Sequence, residues 1–158
     1  MKIRILCALG ALSLVTACGD KAPDQPVADA MQKDPAPAVL ERSAAASGAT
    51  VFFISPADGE TVSNPVRVVF GIEGMDVVAA GTDVPHSGHH HLLIDTGLPD
   101  LGLPIPKDEN HIHFGDGSTE TEITLEPGEH TLQMLLGDYL HIPHDPPLMS
   151  EQITVLVE

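Results

Sequence analysis

The chain has 158 residues and a formal net charge of -16 at pH 7. Arg67 and Lys107 are the only basic residues after position 47, where eighteen acidic residues lie. Such a surface repels nucleic acid and anionic lipid, because binding to either requires Lys and Arg to neutralise phosphate. The sequence contains no Trp and one Tyr, so aromatic surfaces for stacking on bases or sugars are scarce.

The first 17 residues are a predicted signal segment. Lys2 and Arg4 precede an apolar run, 5–15, that is too short to cross a bilayer as a mature helix. The stretch Leu14–Cys18 (LVTAC) resembles the bacterial lipobox, in which the Cys becomes the lipidated first residue of the mature chain. We therefore expect Cys18 to carry acyl chains that anchor the protein in a membrane. The alternative is an ordinary cleavable signal peptide with an incidental Cys.

The predicted anchor also gives a predicted location, which is the bacterial cell envelope with the protein facing the periplasm. By analogy with known sorting rules, Gly19 after Cys18 favours the outer over the inner membrane. The only other cysteine is Cys7, within the signal segment. The mature domain then has no thiol, which excludes disulfides, thiol nucleophiles and the Cys-containing blue-copper site.

A tether connects the anchor to the folded domain in this interpretation. Residues 18–48 are rich in Ala, Pro, Asp and Gln and have no hydrophobic periodicity, which is typical of a flexible linker. The β-branched and aromatic run from Thr50 indicates the first strand, so we place the domain at residues 49–158.

Short segments with strand character, separated by Gly and Pro turns, follow along the domain, and no stretch has a helical period. The predicted strands are 50–55, 65–72, 90–95, 111–114, 119–125, 130–136 and 151–157. Two long connections, about 74–88 and 96–110, exceed the usual length. The pattern predicts an all-β fold, a single immunoglobulin-like antiparallel β-sandwich of about seven strands.

Several motifs in order resemble those of a known family of small exported bacterial domains. They are Val51–Gly59 (VFFISPADG), Gly88–Asp95 (GHHHLLID), His113–Glu120 (HFGDGSTE) and Pro127–Asp138 (PGEHTLQMLLGD). Together they are similar to the domain-of-unknown-function family 4399, over residues 49–158. The resemblance implies a compact exported β domain and no catalytic activity. Leu125–Leu132 also resembles the segment that enters the sixth strand of many immunoglobulin-like domains. A Tyr usually bonds back to the preceding turn there, so we expect His130 to be structural.

All nine histidines lie between positions 86 and 144, which is the strongest functional signal in the chain. In strands, alternate side chains share a face, so His89 pairs with His91 and His111 pairs with His113. His141 and His144 lie on a proline-rich loop. Neutral imidazole binds copper and zinc well, and nearby carboxylates often orient such rings. The predicted metal ligands are His89, His91, His111, His113, His141 and His144, with Asp95, Asp138 and Asp145 as candidate orienting groups.

Other interpretations remain open at this point. In the alternative interpretation the histidines are structural, and the protein is a non-catalytic envelope module that binds a partner protein through its long loops and exposed Leu98, Leu101 and Leu103. The acidic residues match no known calcium loop. No nucleophile elbow, zinc-protease, phosphate-binding or dinucleotide motif is present, so we expect no enzyme activity. A dismutase-like copper–zinc site lacks its own motifs and its disulfide.

Overall fold

The computed structural model describes residues 40–158, in which the chain forms nine β-strands and no helix. The strands are β1 (Thr50–Ser55), β2 (Glu60–Val62), β3 (Val66–Glu73), β4 (Asp76–Val77), β5 (Ser87–Ile94), β6 (His111–His113), β7 (Glu120–Ile123), β8 (Gly128–Gly137) and β9 (Ile153–Val157). The prediction of an all-β fold is confirmed. The signal segment, Cys18 and the linker up to residue 39 lie outside the described residues. Across 40–158 the search for membrane-spanning helices found none.

The strands form two sheets. The small sheet has the order β1-β3-β7 and is antiparallel. The large sheet has the order β2-β9-β8-β5-β4, and β6 pairs with β5 beside β4. Its outer strands β2 and β4 run parallel to their neighbours β9 and β5. The immunoglobulin-like topology itself stays a prediction.

The strand count and pairing differ from the expectation of about seven antiparallel strands. The two additional strands, β2 and β4, have three and two residues. They come from segments without an alternating pattern, and their pairing partners are distant in sequence or across a loop, so local periodicity carries no signal for them. β5 also begins at Ser87, inside the segment expected to be loop.

The main hydrophobic core lies between the two sheets. Val66, Val68 and Phe70 of β3 contribute to it from the small sheet. Leu92 and Met134 contribute from β5 and β8 of the large sheet. Burial alternates along β3, because side chains two positions apart in a strand lie on the same face. Val66, Val68 and Phe70 therefore all point into the core.

Strand β5 is buried on both faces, and every one of its residues is inaccessible. Leu92 lies in the main core, whereas its neighbour Leu93 lies in a second cluster with Leu135 and Ile105. Ile105 belongs to the connection between β5 and β6. That connection covers the outer face of the large sheet, which explains why polar residues on this face of β5 are buried.

Residues 42–46, called the strap below, pack onto the domain although the sequence placed them in the linker. The backbone of Ala45 donates to Asp145 O, and Asp145 N–H donates to Ser43 O. Ala45 and Ala46 also pack against the main core. Residues of the strap therefore contact the folded domain although they precede the predicted boundary at residue 49.

Candidate metal centre

Two paired strands place three histidines on one face of the large sheet. His89 and His91 alternate with His90 along β5, so the side chains of the first two point to the same face. His113 on β6 is the cross-strand partner of His91 in the antiparallel register. The sequence prediction that His89 and His91 belong together, with His90 directed elsewhere, agrees with this arrangement.

A fourth histidine reaches the same face from the loop after β8. His141 has a φ of 67°, a left-handed backbone conformation that is uncommon for residues other than Gly. Its N–H donates to Asp138 O at 2.9 Å, and its carbonyl accepts from the N–H of Ile105 at 2.8 Å. These bonds hold a strained residue in place, and such strain concentrates at functional sites.

The rings of His89, His91, His113 and His141, called the histidine cluster below, are all close to one another. The ring centroid of His89 lies 4.8 Å from those of His91 and His141, and 5.0 Å from that of His113. The other three pairs are separated by 4.8 to 6.1 Å. One nitrogen from each of His89, His113 and His141 lies within 4.8 Å of the other two. Ligand nitrogens about 2.0–2.1 Å from one zinc ion lie at most about 4.2 Å apart, so these three are close to the spacing that shared coordination requires. His91 contributes no nitrogen to this group of three.

Four buried nitrogens of the cluster lack hydrogen-bond partners within residues 40–158. Both ring nitrogens of His89, Nδ1 of His91 and Nε2 of His113 are buried and unpaired. Leaving buried polar atoms unpaired costs about 1–3 kcal/mol each, so native proteins rarely accumulate them. Unpaired buried nitrogens of rings that lie this close together favour a positively charged or hydrogen-bonding occupant between them.

Burial keeps these rings neutral. Burial first, and then repulsion from His141 and His113, lower the pKa of His89 from 6.5 to about 4. Burial and the neighbouring imidazoles lower the pKa of His91 to about 2. The pKa of His113 is also lowered, by burial and then by His141 and Lys107. The neutral imidazole is the form that binds metal ions, so these rings have free lone pairs at neutral pH.

The cluster is closed at its base and accessible at one side. His89 and His91 are 0% and 1% exposed, whereas His113 and His141 are partly exposed. An ion would therefore reach the buried pair past the two partly exposed rings.

Two glycines make room for the rings. A Cβ atom at Gly137 would lie 2.8 Å from Cε1 of His91. One at Gly115 would lie 2.3 Å from Cε1 of His113. Both distances are shorter than real contacts allow, so these glycines are spatial requirements of the cluster. The sequence did not predict their role, although Gly137 is the last residue of β8 and Gly115 lies two residues after β6.

His111 and His144, which the sequence included among the ligands, are not brought into the cluster. His111 Nδ1 donates to Asp108 at 2.8 Å, because the β5–β6 register places His111 opposite Leu93 rather than opposite a histidine. His144 Nε2 donates to Ser87 O at 3.1 Å. Its ring packs beside Gly88, which faces the main core, so His144 lies on the other side of the sheet.

The three carboxylates expected to orient the rings have other partners. Asp138 is 1% exposed and accepts bonds from the backbone of the loop that carries His141. Asp145 pairs with Arg42, and Asp95 accepts from His130 Nδ1 at 2.6 Å. Asp138 alone acts on the cluster, since its charge opposes the lowering of the His89 pKa.

The structural role predicted for His130 agrees with its contacts. Its Nε2 bonds back to Glu126 O at 2.8 Å, across the turn that precedes β8. This contact corresponds to the one that a Tyr makes in the resembling segments of other β-sandwich domains.

Fold and site together define a small all-β domain that carries a buried histidine cluster on one sheet. The chain belongs to the family described as Domain of unknown function (DUF4399), which matches residues 68–158. The match extends from β3 to β9 and contains all four cluster histidines. Comparisons with curated proteins and with solved structures gave no match.

Proposed function

We propose that this protein binds a divalent transition metal ion, copper or zinc, through His89, His91, His113 and His141. It acts as a non-catalytic lipoprotein of the bacterial envelope. One observation carries the proposal: four imidazole rings converge while their buried nitrogens find no partner among residues 40–158.

The other histidines serve as an internal comparison. His111, His130 and His144 each have a protein partner for at least one ring nitrogen. A purely structural cluster would be expected to form such bonds as well. The buried nitrogens of His89, His91 and His113 lack such bonds. Both nitrogens of His90, in the main core, and Nε2 of His111 lack them too. The convergence of four rings, rather than the missing bonds alone, therefore favours a bound cation.

The ligand chemistry favours copper or zinc. The cluster offers neutral nitrogen donors and, since the only cysteines are Cys7 and Cys18, no thiolate. Imidazole suits zinc and copper, and affinity at nitrogen sites usually peaks at copper(II). Calcium prefers oxygen ligands and is not expected at this site.

The proposed role is sequestration or delivery of the ion. The partly exposed His113 and His141 give a route between solvent and the buried pair. The proposal also includes the signal segment, the lipid on Cys18 and delivery to the outer membrane. They are supported by the N-terminal sequence.

Calorimetric titration of the purified protein with copper(II), zinc and calcium tests the proposal. We expect one copper or zinc ion per chain to bind and calcium not to bind. Absence of copper or zinc binding tighter than about 0.1 mM would contradict the metal hypothesis.

A partner-binding envelope module is the second candidate function. Leu98, Leu103 and Leu140 are 41%, 54% and 43% exposed on the two loops that cover the outer face of the large sheet. Exposed apolar side chains on loops are typical of protein contact surfaces. Crosslinking in intact cells distinguishes the two functions: a partner captured equally by the wild-type protein and by His113→Ala favours the metal-independent module.

A further inference from the structure

A buried carboxylate lies beneath the turn that presents His141. Asp138 Oδ1 accepts the N–H groups of Leu140 and Ile142, each at 2.9 Å. These two residues flank His141, and Asp138 N–H also donates to Ile142 O at 2.9 Å. The side chain of Asp138 therefore holds the backbone on both sides of His141.

This fixation is needed because the backbone of His141 is strained. A φ of 67° is unfavourable for a residue with a Cβ atom and persists only when the surroundings enforce it. The bonds from Asp138 and the backbone bond from Ile105 provide that enforcement. Without them, the turn is expected to relax and the ring to leave the cluster.

The strap holds Asp138 and the far end of the same loop. Ser43 Oγ donates to Asp138 Oδ2 at 2.8 Å. Arg42 Nε donates to Pro143 O at 2.9 Å, and the same guanidinium donates to His144 O. The segment through which the predicted tether enters the domain thus contacts both ends of the loop that carries His141.

Asp138 also contributes charge to the centre. It is 1% exposed, and it opposes the lowering of the His89 pKa, so its negative charge acts on the buried ring. Imidazole binds a metal ion in its neutral form, and a buried cation is costly without compensating charge. The same carboxylate is placed to provide part of that compensation.

We propose that Asp138 is a positioning residue of the metal centre and that the strap, through Ser43 and Arg42, locks it, so that release of the strap speeds metal loss. This inference rests on the proposed function. It goes beyond metal binding, since it links the tether of the protein to the rate at which the bound ion leaves.

Two measurements on the same variants test the inference. The first is hydrogen exchange of the Leu140 and Ile142 amides in metal-free protein. The second is the dissociation rate of zinc, measured by transfer to a chelator. The variants are Ser43→Ala, Asp138→Ala and Asp138→Asn. Ser63→Ala is the control, because Ser63 is exposed and lies between β2 and β3, at the other edge of the large sheet.

We expect Asp138→Ala to speed exchange at both amides and zinc loss at least about tenfold. Ser43→Ala should speed both about threefold to tenfold, since one bond is lost. Asp138→Asn keeps the Oδ1 acceptor, so it should restore amide protection while zinc loss remains faster through the missing charge. Ser63→Ala should match the wild-type protein.

Hydrogen exchange of the β8 and β9 amides, measured in the same experiment, shows whether each variant is folded. Unchanged exchange at Leu140 and Ile142 in folded Ser43→Ala and Asp138→Ala overturns the positioning role. Faster exchange with unchanged zinc release overturns the link to metal loss. If the wild-type protein binds no zinc or copper, the proposed function fails and the link to metal loss fails with it. The exchange data still decide whether Asp138 holds the turn.

Discussion

His91 on β5 and His113 on β6 are cross-strand partners whose ring centroids lie 5.1 Å apart. Their proximity is set by backbone pairing of two strands, so it does not depend on a mobile loop. His141 completes the cluster from a loop, with its ring centroid 4.8 Å from that of His113. The histidine cluster therefore has two parts. His91 and His113 are held by the sheet, whereas His141 depends on the conformation of one turn.

Substitution of single cluster histidines is expected to weaken zinc and copper binding. His113→Ala and His141→Ala each remove a nitrogen donor from the group that can share one ion. Loss of a group that orients a metal ligand already lowers metal affinity about 10- to 100-fold. Loss of a ligand itself should therefore lower the affinity at least about 100-fold. Calorimetric titration of the variants measures the change.

His86→Asn is the matched control, because His86 is exposed and outside the cluster, and Asn tolerates its φ of 56°. We expect wild-type affinity for this variant. Equal weakening by His86→Asn and His113→Ala would place binding on the acidic surface rather than at the cluster.

Metal binding is expected to raise the thermal and chemical stability of the protein. A ligand that binds only the folded state at about 100 times its dissociation constant stabilises by about 2.7 kcal/mol. Urea unfolding with and without zinc, followed by removal of zinc with a chelator, measures this gain and its reversal. In His113→Ala the gain should largely vanish; a full gain in that variant would show that zinc stabilises the fold at another position.

Strand periodicity predicted part of this centre. The period of two placed His89 and His91 on one face and His90 on the other, because side-chain alternation is a local property of a strand. The same argument paired His111 with His113, and the two do lie at alternate positions of β6. Only His113 joins the cluster, since the register places it opposite His91 and places His111 opposite Leu93.

Long-range contacts determined what the sequence did not predict. His141 and His144 are three positions apart on one loop, yet they lie on opposite sides of the large sheet. The turn between them is bonded locally to Asp138, but Asp138 is itself bonded by Ser43, which lies 95 positions away in the chain. Local patterns carry no information on such contacts, nor on the pairing of the short strands β2 and β4.

The His130–Asp95 pair is expected to make stability depend on pH. The bond to Asp95 Oδ2 and then the bond to Glu126 O raise the pKa of His130, since both nitrogens face acceptors and donate fully only in the protonated ring. A raised folded-state pKa gives stability that is fully present below the unfolded value near pH 6.5 and is lost as pH rises through the folded value. Burial favours a higher pKa for Asp95, but bonds from Thr131 and His130 outweigh it and lower that pKa. The contribution of Asp95 is therefore lost as pH falls through its folded-state value, below 3.8.

Urea unfolding of the wild-type protein and of His130→Gln should therefore differ more at about pH 6 than at about pH 9. Asp95→Asn is the control, because it removes the partner that raises the His130 pKa. In that background the effect of His130→Gln should depend less on pH in this range, since only the contacts with Glu126 still raise the His130 pKa. A constant difference in the wild-type background would mean that the pair contributes through shape rather than through charge.

Gly137→Ala is expected to disturb the cluster without direct loss of a ligand. The new Cβ would lie 2.8 Å from Cε1 of His91 and 3.3 Å from Cδ1 of Ile105, and both side chains are buried. Overpacking of this kind typically costs about 1–3 kcal/mol. We expect lower unfolding free energy together with weaker zinc binding. Gly97→Ala, where a Cβ meets no atom within 4 Å, should change neither quantity.

His90→Leu is expected to stabilise the protein while it leaves metal binding intact. His90 is 0% exposed in the main-core layer, with its ring centroid 5.1 Å from that of Phe70. Neither of its nitrogens has a partner within residues 40–158. A Leu of similar size has no polar atoms to leave unpaired. We expect a gain of about 1 kcal/mol in unfolding free energy, measured with urea in metal-free protein. Because His90 points away from the cluster, zinc affinity should stay within about twofold.

His144→Leu is the matched comparison for this change. His144 is also buried, at 1% exposure, but its ring bonds to Ser87 O and contacts Leu136 O. The same substitution there leaves buried carbonyl groups unpaired, so it should lower the unfolding free energy by about 1–3 kcal/mol. Opposite signs for two histidine-to-leucine changes in one core would show that unpaired nitrogens, not imidazole burial as such, limit the stability of this domain. A loss of stability in His90→Leu would instead mean that its nitrogens have partners, such as a buried water.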